Sequence, residues 1–578
     1  MKISNIPSAQ ALVKACKFYG IEHIVISPGS RNAPLTISFT KDNYFTCFSI
    51  VDERSAAFFA LGMAQQLVKP VAILCTSGSA LLNYYPAIAE AFYSEVPILA
   101  LTADRPPYKI DVGDGQTIRQ DHVFHRHIGY SANLKIDVDH ATDRLQRYAP
   151  NYLQQTQEQI EDYNRQETAK AFSVLFKQKL PVHINIPFEE PLYGTTTLEA
   201  KDVPSISLVK TPETEVFSKD DVAYWSKSQK KMVLVGVDSP NAVEQQWIDK
   251  LAKDPSVVIF TETTSNLHHP NCFYSIDSIL FPIEKSSNRT ELSEMLQPDI
   301  LITFGGLVVS KKIKAFLREY QPKKHWHLGG VKANDTFFCL TRHLKGNVNS
   351  LLNQLISNTK YSTSEYYPFW SLKRQAYQQK RTTYLKKIPF SDFKAFSIIF
   401  SHLNSPKQVH LSNSSTVRYA QLFPVHKDLE VYCNRGTSGI DGSSSTAVGA
   451  AVFAEKPTLL ITGDLSFLYD SNAFWNHYLR KDFKVIVINN GGGGIFRILP
   501  GFDGSETFST YFETQHKYAA THLCAHYGME YFSAADETTL LNNIDSFLDW
   551  ENSPALLEIF TPTEENNKIL LDYFDFIS

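Results

Sequence analysis

Cysteine is scarce in this chain. Seven occur in 578 residues, at positions 16, 47, 75, 272, 339, 433 and 524, and none forms a C-x-x-C pair. An odd, scattered set argues against a disulfide framework and against a structural zinc site. It fits a reducing compartment, so a cytoplasmic location is expected. No apolar run approaches the ~18 residues that a membrane-spanning helix needs. Neither sign of charge dominates: 56 Lys and Arg against 60 Asp and Glu leave a net charge of −4. That balance gives no reason to expect a nucleic-acid partner or a polybasic membrane surface. The phosphate-binding fingerprints of nucleotide enzymes are missing too. No G-x-G-x-x-G joins a strand to a helix, no G-x-x-x-x-G-K-[ST] occurs, and Gly436, Gly439 and Gly442 have the wrong spacing. A nucleotide-dependent oxidoreductase is therefore disfavoured.

The composition is that of a folded protein, with 43% apolar and 20% charged residues. At roughly 100–200 residues per domain, the length predicts about three or four domains. The opening MKISNIPSAQALVKACKFYG is expected to be a domain helix and not an address. Ser8 is its expected N-cap; Leu12, Ala15, Cys16 and Tyr19 share one face, and Gly20 ends it.

Short apolar runs alternate with helical patterns along the chain. Strands are predicted at 23–27, 45–51, 71–76, 96–102 and 182–187, then at 231–237, 257–262, 300–306 and 325–330. The last group is 409–412, 430–433, 458–462, 484–489 and 555–560. Strands alternating with helices argue for α/β architecture, and unbroken apolar strands for parallel sheets covered on both faces. Three doubly wound domains result, at 1–193, 206–360 and 388–578. A polar linker follows Tyr193 and reaches about Ser207, and a charged, aromatic helix over about 364–386 leads into the last domain.

Ligands of open α/β sheets bind beyond the carboxyl ends of the strands. There the chain carries SPGSRN, DERS, TSGS and ADRP in the first segment, and SNSSTVR, NRGTSGIDG, GDLS and NNGGGGIF in the third. These loops are rich in Gly, Ser, Asn, Asp and Arg, the chemistry of anion and metal binding. Asp464 and Asn490 end successive predicted strands with a helix expected between them at about 466–480. A right-handed crossover usually sets such strands side by side or nearly so, ~4.8 Å apart. A carboxylate and an amide oxygen could then share a hard cation such as Mg2+. The run Gly491 to Gly494 lets the backbone approach a ligand and offer a carbonyl. Arg31, Arg105, Arg418 and Arg435 stand at strand ends, and arginine suits bidentate carboxylate binding.

The GD…NN arrangement resembles the diphosphate-binding signature of the thiamine-diphosphate-dependent enzymes, whose domain order is pyrimidine, middle, diphosphate. The general form has Gly after the Asp, where this chain has Leu465. The closer resemblance rests on SPGSRNAPLT, DERSAAFFALG, TSGSALLNYYPAIAEA, LTADRPP, GQTIRQ, INIPFEEPLYG, NRGTSGIDG, GDLSFLYDSNA and NNGGGGIF. In that order they are similar to the MenD family, the 2-succinyl-5-enolpyruvyl-6-hydroxy-3-cyclohexene-1-carboxylate synthases, in which GDLS replaces GDG. The first and third segments carry the resemblance densely and the middle weakly.

The resemblance implies a function and a set of residues. The reaction would be decarboxylation of 2-oxoglutarate and addition of the resulting succinyl carbanion to isochorismate, in menaquinone biosynthesis. The cofactors would be thiamine diphosphate and Mg2+ or Mn2+. Glu53 would hydrogen-bond the aminopyrimidine and favour the imino tautomer that takes the thiazolium proton. Asp464, Asn490 and the Gly492 carbonyl would hold the metal. Ser438, Gly439, Leu465 and Ser466 would line the cofactor, and Ile495 would bend it. Ser30, Arg31, Arg105, Gln116, Lys311, Ser414, Arg418 and Arg435 would contact the acidic substrates. The family also implies at least a homodimer, or a homotetramer, with active sites shared between subunits. Another thiamine-diphosphate carboligase or decarboxylase acting on pyruvate is the alternative, and a non-catalytic protein that kept the fold is a weaker one. The three histidines at 122, 125 and 127 are expected to be a solvated loop without a metal.

Overall fold

The structure, a computed structural model, describes residues 2–197, 214–357, 361–405, 407–498 and 504–578. Three parallel sheets dominate it. The first has the order Thr46–Ser49, His23–Ile26, Val71–Cys75, Ile98–Asp104, Val182–Pro187, Tyr130–Asn133. The third runs Leu429–Tyr432, Lys407–Leu411, Thr458–Gly463, Lys484–Asn489, Ala555–Phe560, Glu530–Ala534. Counted in chain order within each sheet, both read 2-1-3-4-6-5. The middle sheet reads 2-1-3-4-5: Val257–Phe260, Lys231–Val235, Ile300–Phe304, Lys324–Leu328, Leu340–Leu344. In every sheet the order reverses between the first and third strands, which opens a crevice at their carboxyl ends. Each sheet is therefore α/β and doubly wound.

The expected central strands are present because their β-branched and aliphatic runs are buried on both faces. Val71–Cys75 and Ile98–Asp104 are buried at every position. Two strands that sequence reading missed, Tyr130–Asn133 and Glu530–Ala534, occupy the same edge place in the two six-stranded sheets. Both are half-exposed, so their apolar pattern is broken. Leu340–Leu344 is the corresponding miss in the middle sheet. The expected linker also opens with structure: Thr195–Thr197 pairs antiparallel with Lys2–Ser4. The rest of it to Ser207, and the expected middle-domain limits at 206 and 360, lie outside the described residues.

Two helix expectations are corrected. Helix Pro7–Phe18 starts after Ile6, so Ser8 lies inside its first turn and is not the N-cap. The buried carboxylate of Asp137 takes both the Ser8 amide, at 3.1 Å, and its hydroxyl. A residue distant in sequence thus satisfies the helix start. The helix expected over 466–480 is only Asp464–Tyr469, followed by a 3-10 turn Ser471–Phe474. Buried Asp470 accepts from the Ser445 amide at 2.7 Å and hydroxyl at 2.8 Å, and the chain turns there. The long helix expected at about 364–386 is Tyr366–Leu385.

The chain divides into two compact units. One contains the described residues 2–197 with the returning segments 444–454 and 470–479; the other contains the middle and third sheets. In the first unit, helix Glu53–Leu67 meets the 444–454 segment backbone to backbone. A Cβ on Gly62 would lie 2.0 Å from the Thr446 carbonyl, and one on Gly449 2.0 Å from the Phe59 carbonyl. Gly62→Ala is expected to lower the melting temperature. Its overpacking cost of about 1–3 kcal/mol against backbone that cannot yield exceeds the ~1 kcal/mol of helix propensity gained. A thermal scan showing an unchanged or higher midpoint would contradict that crossing.

Candidate active site

In the first unit the switch-point loops 27–31 and 76–79 cross so tightly that a Cβ on Gly29 would stand 2.3 Å from Thr76 Cβ. Arg31 leaves this crossing almost fully buried. Its Nη1 donates to the Phe188 carbonyl at 2.9 Å and its Nη2 to Glu190 Oε1 at 3.3 Å, while Nε has no hydrogen-bond partner. Burial, and then the charge of nearby Arg105, hold its pKa below the usual arginine value. Arg105 likewise has a buried Nε without a hydrogen bond. Just before it, burial pushes the Asp104 carboxyl up to about 6, against the hydrogen bond from Asn185 at 2.8 Å. Ser30 is exposed, and Gln116 is exposed on a left-handed turn at φ 54°. The GQTIRQ loop is anchored by its last residue. Buried Gln120 accepts from the Gly78 amide at 3.0 Å and donates to Asn185 Oδ1 at 2.9 Å.

Glu53 is the first residue of helix Glu53–Leu67, next to the N-cap Asp52, whose side chain accepts from the Ser55 amide. Its charge reaches the Cys75 thiol and Tyr84 hydroxyl, both raised chiefly by burial. In the same unit His127 Nδ1 meets the Tyr85 hydroxyl at 2.9 Å, and His122 Nε2 lies 3.4 Å from Asn133 Nδ2.

In the second unit, Thr458–Gly463 and Lys484–Asn489 are adjacent parallel strands, with Gly463 opposite Ile488. Asp464 and Asn490 thus emerge side by side. Asp464 Oδ1 accepts from the Leu465 amide at 2.7 Å, and Oδ2 from the Gly492 amide at 2.9 Å. His516 Nε2 lies 3.2 Å from the same Oδ2, a contact that raises the imidazole pKa. Asn490 donates Nδ2 to Asp392 Oδ2 at 3.0 Å, and its buried Oδ1 has no partner. Gly492 sits at φ 145°, where a Cβ would be 2.6 Å from the Glu513 carbonyl. An orphaned amide oxygen beside a carboxylate and a glycine backbone is an all-oxygen donor set of the kind Mg2+ prefers. Among the described residues no cluster of three or more His, Cys, Asp or Glu side chains is arranged for a metal. Ile495 is buried in the 3-10 turn after the glycines, and Ser466 Oγ donates to the Ile440 carbonyl at 2.6 Å.

The loop 434–442 folds around Asn413. Asn413 Nδ2 donates to the Asn434 and Gly439 carbonyls, both at 2.7 Å, and its Oδ1 accepts from Arg435 Nη1 at 2.6 Å. Ser438 is left-handed at φ 61°, and Ser414 has the unusual pair φ 68°, ψ −127°. Arg435 keeps a buried Nε without a partner. Arg418 feels Arg435 and is lowered in pKa by burial first and then by that charge. From the middle sheet comes Glu262, whose carboxylate accepts from the Val309 and Ser310 amides and is pushed up to about 7 by burial. Lys311 is exposed at the start of helix Lys311–Glu319, and Lys312 pairs with Glu284. Half-buried Lys314 is the lysine of that helix that senses both Glu262 and Arg435.

Two family models match the chain. One is "Thiamine pyrophosphate enzyme, N-terminal TPP binding domain", over residues 7–128; the other is the C-terminal TPP binding domain of the same enzymes, over 413–559. They fall on the first and third sheets. A protein of Christiangramia forsetii named 2-succinyl-5-enolpyruvyl-6-hydroxy-3-cyclohexene-1-carboxylate synthase is 51% identical over the full length of both chains. Proteins of that name from Flavobacterium psychrophilum and Desulfotalea psychrophila are 49% and 35% identical, covering 99% and 96% of this chain and 98% of each relative. The chain belongs to that synthase family. Within this synthase chain, Asp392, His516, Gln120, Glu262 and Lys314 escaped sequence reading. Asp392 and His516 have no glycine-rich or strand-end signal beside them. Lys314 lies within helix Lys311–Glu319, Glu262 ends the predicted strand 257–262 but was not singled out, and the motif of Gln120 was seen but its anchoring role was not. Among the described residues no helix is long and apolar enough to cross a membrane.

Proposed function

We infer that the chain is a thiamine-diphosphate-dependent synthase that decarboxylates 2-oxoglutarate and adds the four-carbon fragment to isochorismate. The products are CO2 and 2-succinyl-5-enolpyruvyl-6-hydroxy-3-cyclohexene-1-carboxylate, made for menaquinone. Full-length identity to synthases of that name supports this reading. The observation that carries it on the chain itself is the buried, unpartnered Nε of Arg31, Arg105 and Arg435. A buried donor without a partner costs free energy, and a substrate carboxylate would satisfy it in bidentate fashion. Both substrates are dianionic acids, which pyruvate is not.

When bound, thiamine diphosphate supplies the carbanion stabilisation that side chains lack. Asp464, Asn490 Oδ1 and the Gly492 carbonyl hold a divalent cation, Mg2+ or Mn2+. Ser438, Gly439, Leu465 and Ser466 line the cofactor, and Ile495 packs against it. Glu53 would hydrogen-bond the aminopyrimidine and supply the carboxyl that holds a proton there. Arg418 and Arg435, with Ser414, bind the succinyl carboxylate; Ser30, Arg31, Arg105, Gln116 and Lys311 bind the second acid. The protein works in the cytoplasm as a homodimer or homotetramer, and each active site takes Glu53 from one subunit and Asp464 from another. The three domains of this reading are 1–193, 206–360 and 388–578.

The test is a product assay on the purified chain with isochorismate, 2-oxoglutarate and Mg2+, with and without thiamine diphosphate, read by mass spectrometry. A cofactor-dependent adduct with loss of CO2 is expected. CO2 release from pyruvate with no adduct would overturn the substrate assignment and keep the cofactor.

A further inference from the structure

The side-chain amide of Asn490 can be held in either of two orientations, and only one offers oxygen to a cation. The surroundings decide which. Asp392, 2% exposed, is the first residue of helix Asp392–His402. Its carboxylate and amide are both held by residues that follow strand Ala555–Phe560. Thr561 donates Oγ1 to Asp392 Oδ1 at 2.6 Å, and the Asp392 amide donates to Asn566 Oδ1 at 2.8 Å. Thr561 itself is tied to Asn489 by a backbone hydrogen bond of 3.0 Å. The remaining oxygen, Oδ2, accepts Asn490 Nδ2 at 3.0 Å. A carboxylate oxygen with this role takes the NH2 end of the amide and turns the C=O end away. That oxygen, Asn490 Oδ1, is buried and without a partner. The neighbouring Gly492 amide is already committed to Asp464 Oδ2 at 2.9 Å and cannot satisfy it.

We propose that Asp392 is a positioning residue for the metal site: it orients Asn490 so that Oδ1 faces the divalent cation. This rests on the reading that Asn490 is a metal ligand. In this role Asp392 acts through Asn490 and is not itself a ligand. Outer partners of this kind typically change metal affinity by about 10–100-fold when removed. The competing role is purely structural, an acid at a helix start favoured by the dipole.

Three full-length variants separate the two. Mn2+ is titrated by electron paramagnetic resonance at saturating thiamine diphosphate, and the metal-free protein is melted in parallel. Asp392→Ala is expected to raise the Mn2+ dissociation constant by about 10–100-fold. Asp392→Asn, whose amide oxygen can still accept from Asn490 while its NH2 donates to Thr561, is expected to recover most of that affinity. Asn566→Ala removes the bond to the Asp392 amide, a long 3.4 Å bond to Thr561 Oγ1 and one to the Pro562 carbonyl, and leaves the direct Thr561 and Asn490 contacts of the Asp392 carboxylate in place. It is expected to lower the melting temperature without moving Mn2+ affinity. Unchanged affinity in folded Asp392→Ala, or an equal loss in Asn566→Ala, would overturn the proposal and leave the metal site standing. A wild-type chain that binds no Mn2+ would overturn both.

Discussion

Glu53→Gln is expected to lower kcat by about 10²–10⁴-fold, the range in which a positioned proton carrier contributes. Cofactor affinity should change far less. Glutamine keeps the size and the hydrogen-bonding reach of the side chain but cannot exchange a proton. The fold has little stake in the charge: Asp52 already caps the helix through the Ser55 amide at 3.2 Å. Losing a second acid there costs about 0.3–1 kcal/mol. Product formation gives kcat, calorimetric titration gives cofactor affinity, and a melt shows that the variant is folded. Retention of more than about a tenth of kcat would remove Glu53 from the proton path. The same variant tests the shared site. Mixed with inactive Asp464→Ala and allowed to exchange subunits, half the dimers become mixed, each with one site intact. About a quarter of wild-type activity should return. No recovery after verified exchange would mean that each chain builds its own site.

The central strands were legible because burial on both faces writes an unbroken apolar run. Val182–Pro187 and Lys484–Asn489 are buried throughout, and the predictions at 182–187 and 484–489 coincide with them. Edge strands carry no such run. Tyr130–Asn133 has one fully buried position, and Glu530–Ala534 has one. The same physics divides the candidate site. Residues at the ends of buried strands, such as Asp464 and Arg105, are found by following the strands. Asp392 and His516 come from elsewhere in the chain and meet the metal-site loop only through tertiary folding, at 3.0 Å from Asn490 and 3.2 Å from Asp464. Ser8 shows the converse. Its local pattern suggests a cap, but a buried aspartate 129 positions away already fills that role. Local sequence states what a residue could do; the distant partner decides what it does.

Removal of one partner from the Lys231–Asp254 pair is expected to be the largest stability change in the middle sheet. Lys231 opens the central strand Lys231–Val235, and its ammonium lies 3.0 Å from Asp254 Oδ2 with side-chain exposures of 0% and 5%. The Trp225 ring is 5.2 Å from the ammonium. Asp254 Oδ1 in turn accepts from the Ser256 hydroxyl at 2.6 Å and amide at 3.0 Å, which shapes the turn into Val257–Phe260. Asp254→Ala strands a buried ammonium and opens that turn, at a cost of about 3–5 kcal/mol. The pair lies at the amino ends of its strands, opposite the crevice, so the specific activity of molecules that remain folded should be unaltered. Replacing both partners, Lys231→Met with Asp254→Leu, removes the unpaired charge and should recover much of the loss, because apolar substitutes for a buried pair are often neutral. Denaturant unfolding followed by tryptophan fluorescence reads both variants, since Trp225 and Trp326 belong to this core. A single variant within about 1 kcal/mol of wild type would show that water or another group reaches the ammonium. A double variant no better than the single would assign the cost to the lost Ser256 turn.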